Sequence, residues 1–484
     1  MLLYSISIMP NSVAKNTAFI TFAYVGQKLI SFVYFTLIAR QIGAENTGKY
    51  FFALSFTTIF VVFVDLGLTN VLVREVAKLK EKTQEYFSTI LSVKIILALL
   101  SYLGAFITIN LMGYEVEIKH LVYLSALTML FDSLHLSIYG VMRALGNLKY
   151  EAWGIVGSQF ITLLLGSIFL YTGKPLIFLM IAFVIPSFLN VVYASVMLYR
   201  RYQIKLIPKY NKEIFKYLGQ IALPFALAAI FARVYSYIDS IILSKMLGAT
   251  AVGWYSIPYK ITFAFQFIPL ALVAALYPRF SEFFVHDKEK LVYYFERGMK
   301  YLMIIVLPIA IGLTVLSREI VLSIYTSEFL PSVLPLKILM ISLIFSFLGF
   351  PIGAFLNACN RQGTQTTIVF GVLVLNVILN LLLIPIYGVV GAALAAAIGN
   401  IALTVLGYGF MSKIAKLPHQ LLVKDFFSLL FSALIMGLAV WAVNLKTHYL
   451  LAIMVGVLAY PAMLFITKSI TINQIKEAFL LIKK

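Results

Sequence analysis

Charge is scarce in this sequence. Only 12% of its 484 residues are Asp, Glu, Lys or Arg, against about a quarter in a soluble domain. Cysteine is nearly absent. The single Cys359 excludes a disulfide framework and any cysteine-rich metal site. The five histidines are scattered without metal-ligand spacing. No phosphate-binding Gly-rich loop is present, so no ATPase is carried in the chain, and neither HExxH nor Gly-x-Ser-x-Gly occurs. Acids number 19, too few and too dispersed to supply the clustered carboxylates of a membrane glycosyltransferase. The first ten residues lack a basic leader and a small-residue cleavage site, so no signal peptide is expected there.

Apolar sequence fills the space. Hydrophobic residues make up 62% of the chain and fall into fourteen runs, each long enough to cross a bilayer (about 20 residues). Barrel strands are about half that length and alternate in polarity; these runs do not alternate. The expected fold class is therefore an all-α polytopic membrane protein with about fourteen transmembrane helices. The net charge of +19 would suggest nucleic acid on a soluble protein. Here the cations lie mainly in short loops between apolar runs, which is the pattern that orients membrane proteins, and no nucleic-acid partner is expected. With both termini cytoplasmic, the inner segments hold 26 of the 38 Lys and Arg and the outer ones seven. One span too many or too few would scramble that asymmetry.

The runs repeat. Leu37-Ile38-Ala39-Arg40-Gln41-Ile42-Gly43-Ala44 leads to Gly48 and Tyr50. Ile242-Leu243-Ser244-Lys245-Met246-Leu247-Gly248-Ala249 leads to Gly253 and Tyr255. Glycine, alanine, glycine, tyrosine and a cation coincide at an offset of 205 residues. Each copy joins the first two helices of its half, and its glycines allow a tight reversal. Weaker echoes link Arg143-Ala144 to Asn357-Ala358 and Gly173 to Gly388. The chain thus divides into two pseudo-symmetric six-helix lobes, 1–210 and 211–411, followed by 412–484 with two further helices and a cytoplasmic tail. An even number of spans gives both lobes one orientation, as in parallel-repeat transporters.

Five cations fall within runs: Lys28, Lys94, Arg233, Lys260 and Lys337. Such groups are costly in a membrane and face a bundle interior or a cavity. Lys28 and Arg233 lie mid-span and are again 205 apart, so they are equivalent positions of the two lobes. With Lys260 they are expected to line a central cationic cavity suited to a phosphate or diphosphate. Lys94 reads equally as a substrate cation or as a satisfied structural one, and Lys337, nearer a span end, as a structural one. The acids within runs are Asp65, Asp132 and Asp239. Asp65, before Gly67, suits capping or packing. Asp132 and His135, three apart on one helical face, suit either a structural pair or proton coupling. Asp239 suits neutralisation of a neighbouring cation. The Ala-rich stretch from Gly391 to Gly399 reads as close helix packing.

These motifs resemble a known family. The Ala39-Arg40-x-x-Gly43 region with Tyr50, Asp65-Leu66-Gly67-Leu68, and Asp239 followed by Leu247-Gly248-Ala249, Val252-Gly253, Tyr255 and Lys260 are similar to those of Wzx-type oligosaccharide flippases. So are Tyr277-Pro278 and Asn376-x3-Asn380-x4-Pro385-x2-Gly388-x2-Gly391-Ala392-Ala393. These flippases belong to the multidrug/oligosaccharidyl-lipid/polysaccharide exporter superfamily. The resemblance covers nearly the whole chain. It implies alternating access in a prokaryotic cytoplasmic membrane, a lipid-linked oligosaccharide and membrane lipids as partners, and an association with glycan-polymerising machinery. No cofactor is implied, and coupling to H+ or Na+ stays open. The rivals are a multidrug/cation antiporter of the same superfamily, which Lys28 in the first span disfavours, a peptidoglycan-precursor flippase, and a membrane-embedded lipid-modifying enzyme.

Overall fold

The computed structural model describes residues 10–469. The first nine residues and the tail cations Lys476, Lys483 and Lys484, assigned above to the cytoplasm, lie outside the described residues. Among the described residues there is no strand.

The chain forms two compact units, Met1–Ser244 and Lys245–Lys484. The first contains α1 (Pro10–Asp65), α2 (Leu68–Lys78), α3 (Thr83–Leu111), α4 (Val116–Ala144), α5 (Lys149–Tyr171), α6 (Ile177–Tyr202) and most of α7 (Lys212–Ala264). The second contains the rest of α7, α8 (Phe267–His286), α9 (Lys288–Val315), α10 (Ser317–Ile324), α11 (Val333–Ala358), α12 (Gln362–Tyr387), α13 (Val389–Met411), α14 (His419–Asn444) and α15 (Tyr449–Ile466). The divide by compactness falls inside α7, just before Gly248, whereas the repeat boundary near 210 is a property of sequence similarity.

Among the described residues, twelve helical runs are long and apolar enough to cross a membrane. Two of them, Phe19–Lys78 and Ala226–His286, measure 60 and 61 residues, far more than one crossing needs. Each contains one copy of the repeated motif. α1 is interrupted at Gly43 (φ 76°, ψ 178°) and α7 at Gly248 (φ 80°, ψ −174°). This backbone region is almost closed to side-chain-bearing residues, so glycine at both positions is what permits the reversal. Divided there, the twelve runs become about fourteen. The repeated sequence is thus also a repeated conformation.

The weaker echo has a conformational counterpart as well. After α4, Gly146 (φ 82°) lets its N–H donate to Arg143 O (3.0 Å) and Asn147 N–H donate to Met142 O (2.9 Å). After α11, Asn360 (φ 58°) supports the same pair of bonds, to Asn357 O (3.3 Å) and from Arg361 N–H to Leu356 O (2.8 Å). Both are left-handed helix stops. Asparagine tolerates that conformation better than other residues with a Cβ.

Within the first unit, α4 packs on α6, and α1 and α6 pack on α5. An apolar cluster including Leu72, Phe87, Ile90, Met142 and Leu198 fastens its helix ends. The extended segment 203–211 is pinned to α3. The Gln84 carboxamide donates to Lys205 O and accepts from Lys205 N–H, both at 2.9 Å. Within the second unit, α13 packs on α11 and α12, and α14 packs on α9 and α15. A Cβ at Gly391 would lie 2.3 Å from the Leu383 carbonyl oxygen, so the turn into α13 closes only without a side chain there. Close packing by small residues replaces the hydrophobic drive that lipid surroundings remove.

Candidate functional site

The first unit carries several groups of polar side chains in its apolar segments. Lys28 is half-buried on α1 and Arg233 is exposed on α7. Both belong to the first unit, and both lie within apolar segments, where an ionisable group is costly and usually faces a bundle interior or a cavity. Asp239, buried on α7, stands one turn from Tyr235 and acts on it electrostatically. Lys260 is half-buried on α7 in the second unit, where the Tyr259 and Phe263 rings stack at 5.9 Å.

Lys94 is 1% exposed and ion-paired with Asp65. Its ammonium also donates to Thr69 Oγ1 (2.7 Å) and to the carbonyl and hydroxyl oxygens of Ser133 (both 3.3 Å). Asp65 accepts from the Thr69 hydroxyl and from Thr69 N–H (3.3 Å), which caps α2. The break that Asp65 spans is sharp. Leu66 (φ 43°) and Gly67 (φ 78°) both adopt left-handed conformations. Lys94 thus joins α1, α2, α3 and α4 at a broken helix.

On α4, Asp132 accepts from the Ser187 hydroxyl of α6 (2.7 Å) and lies 3.7 Å from His135 Nδ1. His135 is buried against Tyr139, whose hydroxyl donates to Asn190 Oδ1 (2.6 Å). The expected Asp132–His135 neighbourhood is therefore present, with Ser187 as a further partner.

Sequence reading missed Glu151. It is 1% exposed on α5, held by Arg143 Nη2 (2.8 Å) and Nε (3.1 Å), and it accepts from Tyr24 OH (3.0 Å). A bidentate guanidinium–carboxylate pair is the geometry that satisfies a buried acid. Its signal was Arg143 and Glu151 facing each other across one short turn.

The second unit contains a groove of about 370 Å³ lined by Phe265, Pro308, Met436, Ile453, Val457 and Tyr460, among others. Its lining is almost wholly apolar. Amides elsewhere in the unit bond to backbone and hydroxyl groups. Buried Asn380 donates to Asn376 O one turn away (2.9 Å), and half-buried Asn400 of α13 donates across to Ser342 Oγ of α11 (2.9 Å). Lys300 and Asp425 pair at 3.3 Å between α9 and α14. Among the described residues no cluster of His, Cys, Asp or Glu could hold a metal ion.

This architecture has known counterparts. The chain is 23% identical over 403 residues to the probable low-salt glycan biosynthesis flippase Agl15 of Haloferax volcanii, covering 81% of this chain and 82% of that protein. It is 25% identical over 407 residues to the putative O-antigen transporter of Shigella flexneri, covering 80% and 94%. Its fold resembles the inward closed conformation of the lipid II flippase MurJ, with a TM-score of 0.76 at 17% identity over 92% of this chain and 97% of that one. The MatE family model matches residues 224–382. The model for polysaccharide biosynthesis proteins matches residues 13–284, more than half of the chain, which therefore belongs to the polysaccharide biosynthesis protein family.

Proposed function

We propose that this multi-pass membrane protein is a flippase. It moves a polyprenyl phosphate- or diphosphate-linked oligosaccharide from the cytoplasmic to the outer leaflet by alternating access. It is a transporter rather than an enzyme. The observation that carries the reading is that Lys28 and Arg233, two cations within apolar segments, stand at equivalent positions of the repeat, 205 residues apart, which suits an anionic group such as a phosphate. Lys260, a third cation within an apolar segment, is a further candidate for binding an anion. Lys94 is left out of that set because its ammonium is engaged with Asp65.

The groove lined by Phe265, Pro308 and Tyr460 supplies the apolar surface that a polyprenyl tail needs. Names of relatives in both sequence and structure support a lipid-linked glycan. Both termini face the cytoplasm in this reading, and the halves 1–210 and 211–411 rock about the substrate. An inside-negative potential favours outward movement of the anion by about 2.3 kcal/mol per charge per 100 mV. Glycan-polymerising enzymes would act on the product at the outer face.

The test is flipping of a fluorescent lipid-linked oligosaccharide in proteoliposomes. Lys28→Ala and Arg233→Ala are each expected to slow it at least tenfold (about 1.4 kcal/mol), while Lys28→Arg retains most activity. Full flipping by either alanine variant sinks the phosphate assignment. Covalent change of the substrate sinks the transporter reading.

A further inference from the structure

We propose that Asp65, Thr69 and Ser133 form a monovalent-cation site whose resident cation is the tethered ammonium of Lys94, and that a free alkali cation enters this site in exchange for one proton of Lys94. The inference does not depend on the phosphate assignment, which uses other residues.

The ligand set is the first reason. The Lys94 ammonium is surrounded by a carboxylate, two hydroxyls and one backbone carbonyl. All are oxygens, which is the donor chemistry of a hard cation. An ammonium and an alkali ion carry the same charge, so one can stand in for the other.

The backbone is the second reason. The site is built on a break between α1 and α2, and α2 begins immediately beyond it. Leu66 is a branched residue at φ 43°, a conformation costly for a side chain of that kind. Interrupted membrane helices recur where transporters bind coupling ions, because the interruption frees backbone and side-chain oxygens. A simple structural ion pair needs no such interruption. Nor is burial of a pair by itself a source of stability, since apolar replacements do as well.

Access is the third reason. The Asp65 side chain is 31% exposed while that of Lys94 is 1% exposed. An arriving cation therefore meets the carboxylate before the ammonium. The exchange balances: M+ enters, Lys94 changes from –NH3+ to –NH2, and one proton leaves to water, with the charge of the site unchanged. The titratable groups facing Lys94 are Asp65 from α1 and His135 from α4. His135 in turn feels Asp132 on its own helix and Glu151 from α5. Thr69 of α2 and Ser133 of α4 do not titrate.

The test is thermal unfolding of the purified full chain in NaCl, KCl and choline chloride at equal ionic strength, at neutral pH and two units higher. The wild type is expected to be stabilised by Na+ or K+ but not by choline. Its apparent affinity should rise about tenfold per pH unit, as release of one proton requires. Lys94→Ala should bind the alkali cation equally at both pH values. Adding Asp65→Asn to it should abolish binding. A folded Lys94→Ala variant indifferent to Na+ and K+ overturns the proposal, as does a wild-type response equal to that in choline or independent of pH. If Lys94→Ala does not fold, Ser133→Ala decides. It removes a hydroxyl ligand, so it must weaken the wild-type cation response at high pH, and an unchanged response overturns the proposal.

Discussion

The first compact unit satisfies its buried polar groups with charge. Asp65 meets Lys94, and Glu151 meets Arg143. The second relies more on amides and hydroxyls, as at Asn380 and Asn400, and holds an almost wholly apolar groove. Its half-buried ion pair, Lys300–Asp425, joins the middle of α9 to the second turn of α14. The two units therefore share backbone devices at repeated sequence positions and hold different buried polar chemistry. Reversals at Gly43 and Gly248 and stops at Gly146 and Asn360 recur because they shape the chain. Most of the buried polar pairs do not recur: Lys94–Asp65 and Arg143–Glu151 have no charged counterpart at Asn380 or Asn400.

The sharpest way to break that contrast is to unpair one group in each unit. Arg143→Ala strands Glu151, which is 1% exposed. Breaking a buried pair costs about 3–5 kcal/mol, with the lower end expected because the Arg143 side chain is 30% exposed. Ser342→Ala removes the acceptor of the Asn400 amide and should cost only about 1 kcal/mol. Equal losses in thermal unfolding would contradict the division between charged and neutral interiors.

The shared backbone gives a smaller, symmetrical effect. Gly43→Ala and Gly248→Ala should each destabilise by about 1–3 kcal/mol, the cost of a side chain in that backbone region. A Cβ at Gly248 meets nothing within 4 Å, so its loss isolates the backbone cost from packing. Losses that differ several-fold between the two positions would show that the repeat is not conformationally equivalent.

The smallest effect is expected at an exposed helix start. Asp287 caps α9 by accepting from Glu289 N–H (3.1 Å) and Lys290 N–H (3.0 Å). The bond from the Lys290 backbone, aided by its ammonium, holds the Asp287 carboxyl below the usual carboxylate range. A depressed folded value means that the stabilisation is present above the ordinary carboxylate range. It is lost as pH falls through the depressed value. Asp287→Ala should lower Tm slightly at neutral pH and not at all in strong acid. A deficit that persists in acid would assign the effect to something other than the charged cap.

The fold was largely legible beforehand. Span length and loop charge are local or additive properties, and the repeat is visible as an offset because glycine is needed at fixed backbone angles. The count of about fourteen spans survived for that reason, although α1 and α7 each run past their reversals. The candidate site was legible only in part. Lys28 and Arg233 were paired by the repeat offset, and Asp132 and His135 by helical spacing. Thr69 and Ser133 carry no charge and give no signal, and the burial of Glu151 under Arg143 depends on how the turn between α4 and α5 closes.

Sequence alone determined that this chain crosses a membrane many times, turns at Gly43 and Gly248, and keeps few charges among its apolar runs. Each of those facts depends on a residue and its near neighbours. Only the tertiary structure decided that Lys94 is enclosed by oxygens from α1, α2 and α4, that Glu151 is buried under Arg143, and that one groove is almost wholly apolar. Those outcomes depend on how each helix is rotated about its axis against its neighbours. Hydropathy does not encode that rotation when every face of a helix is apolar.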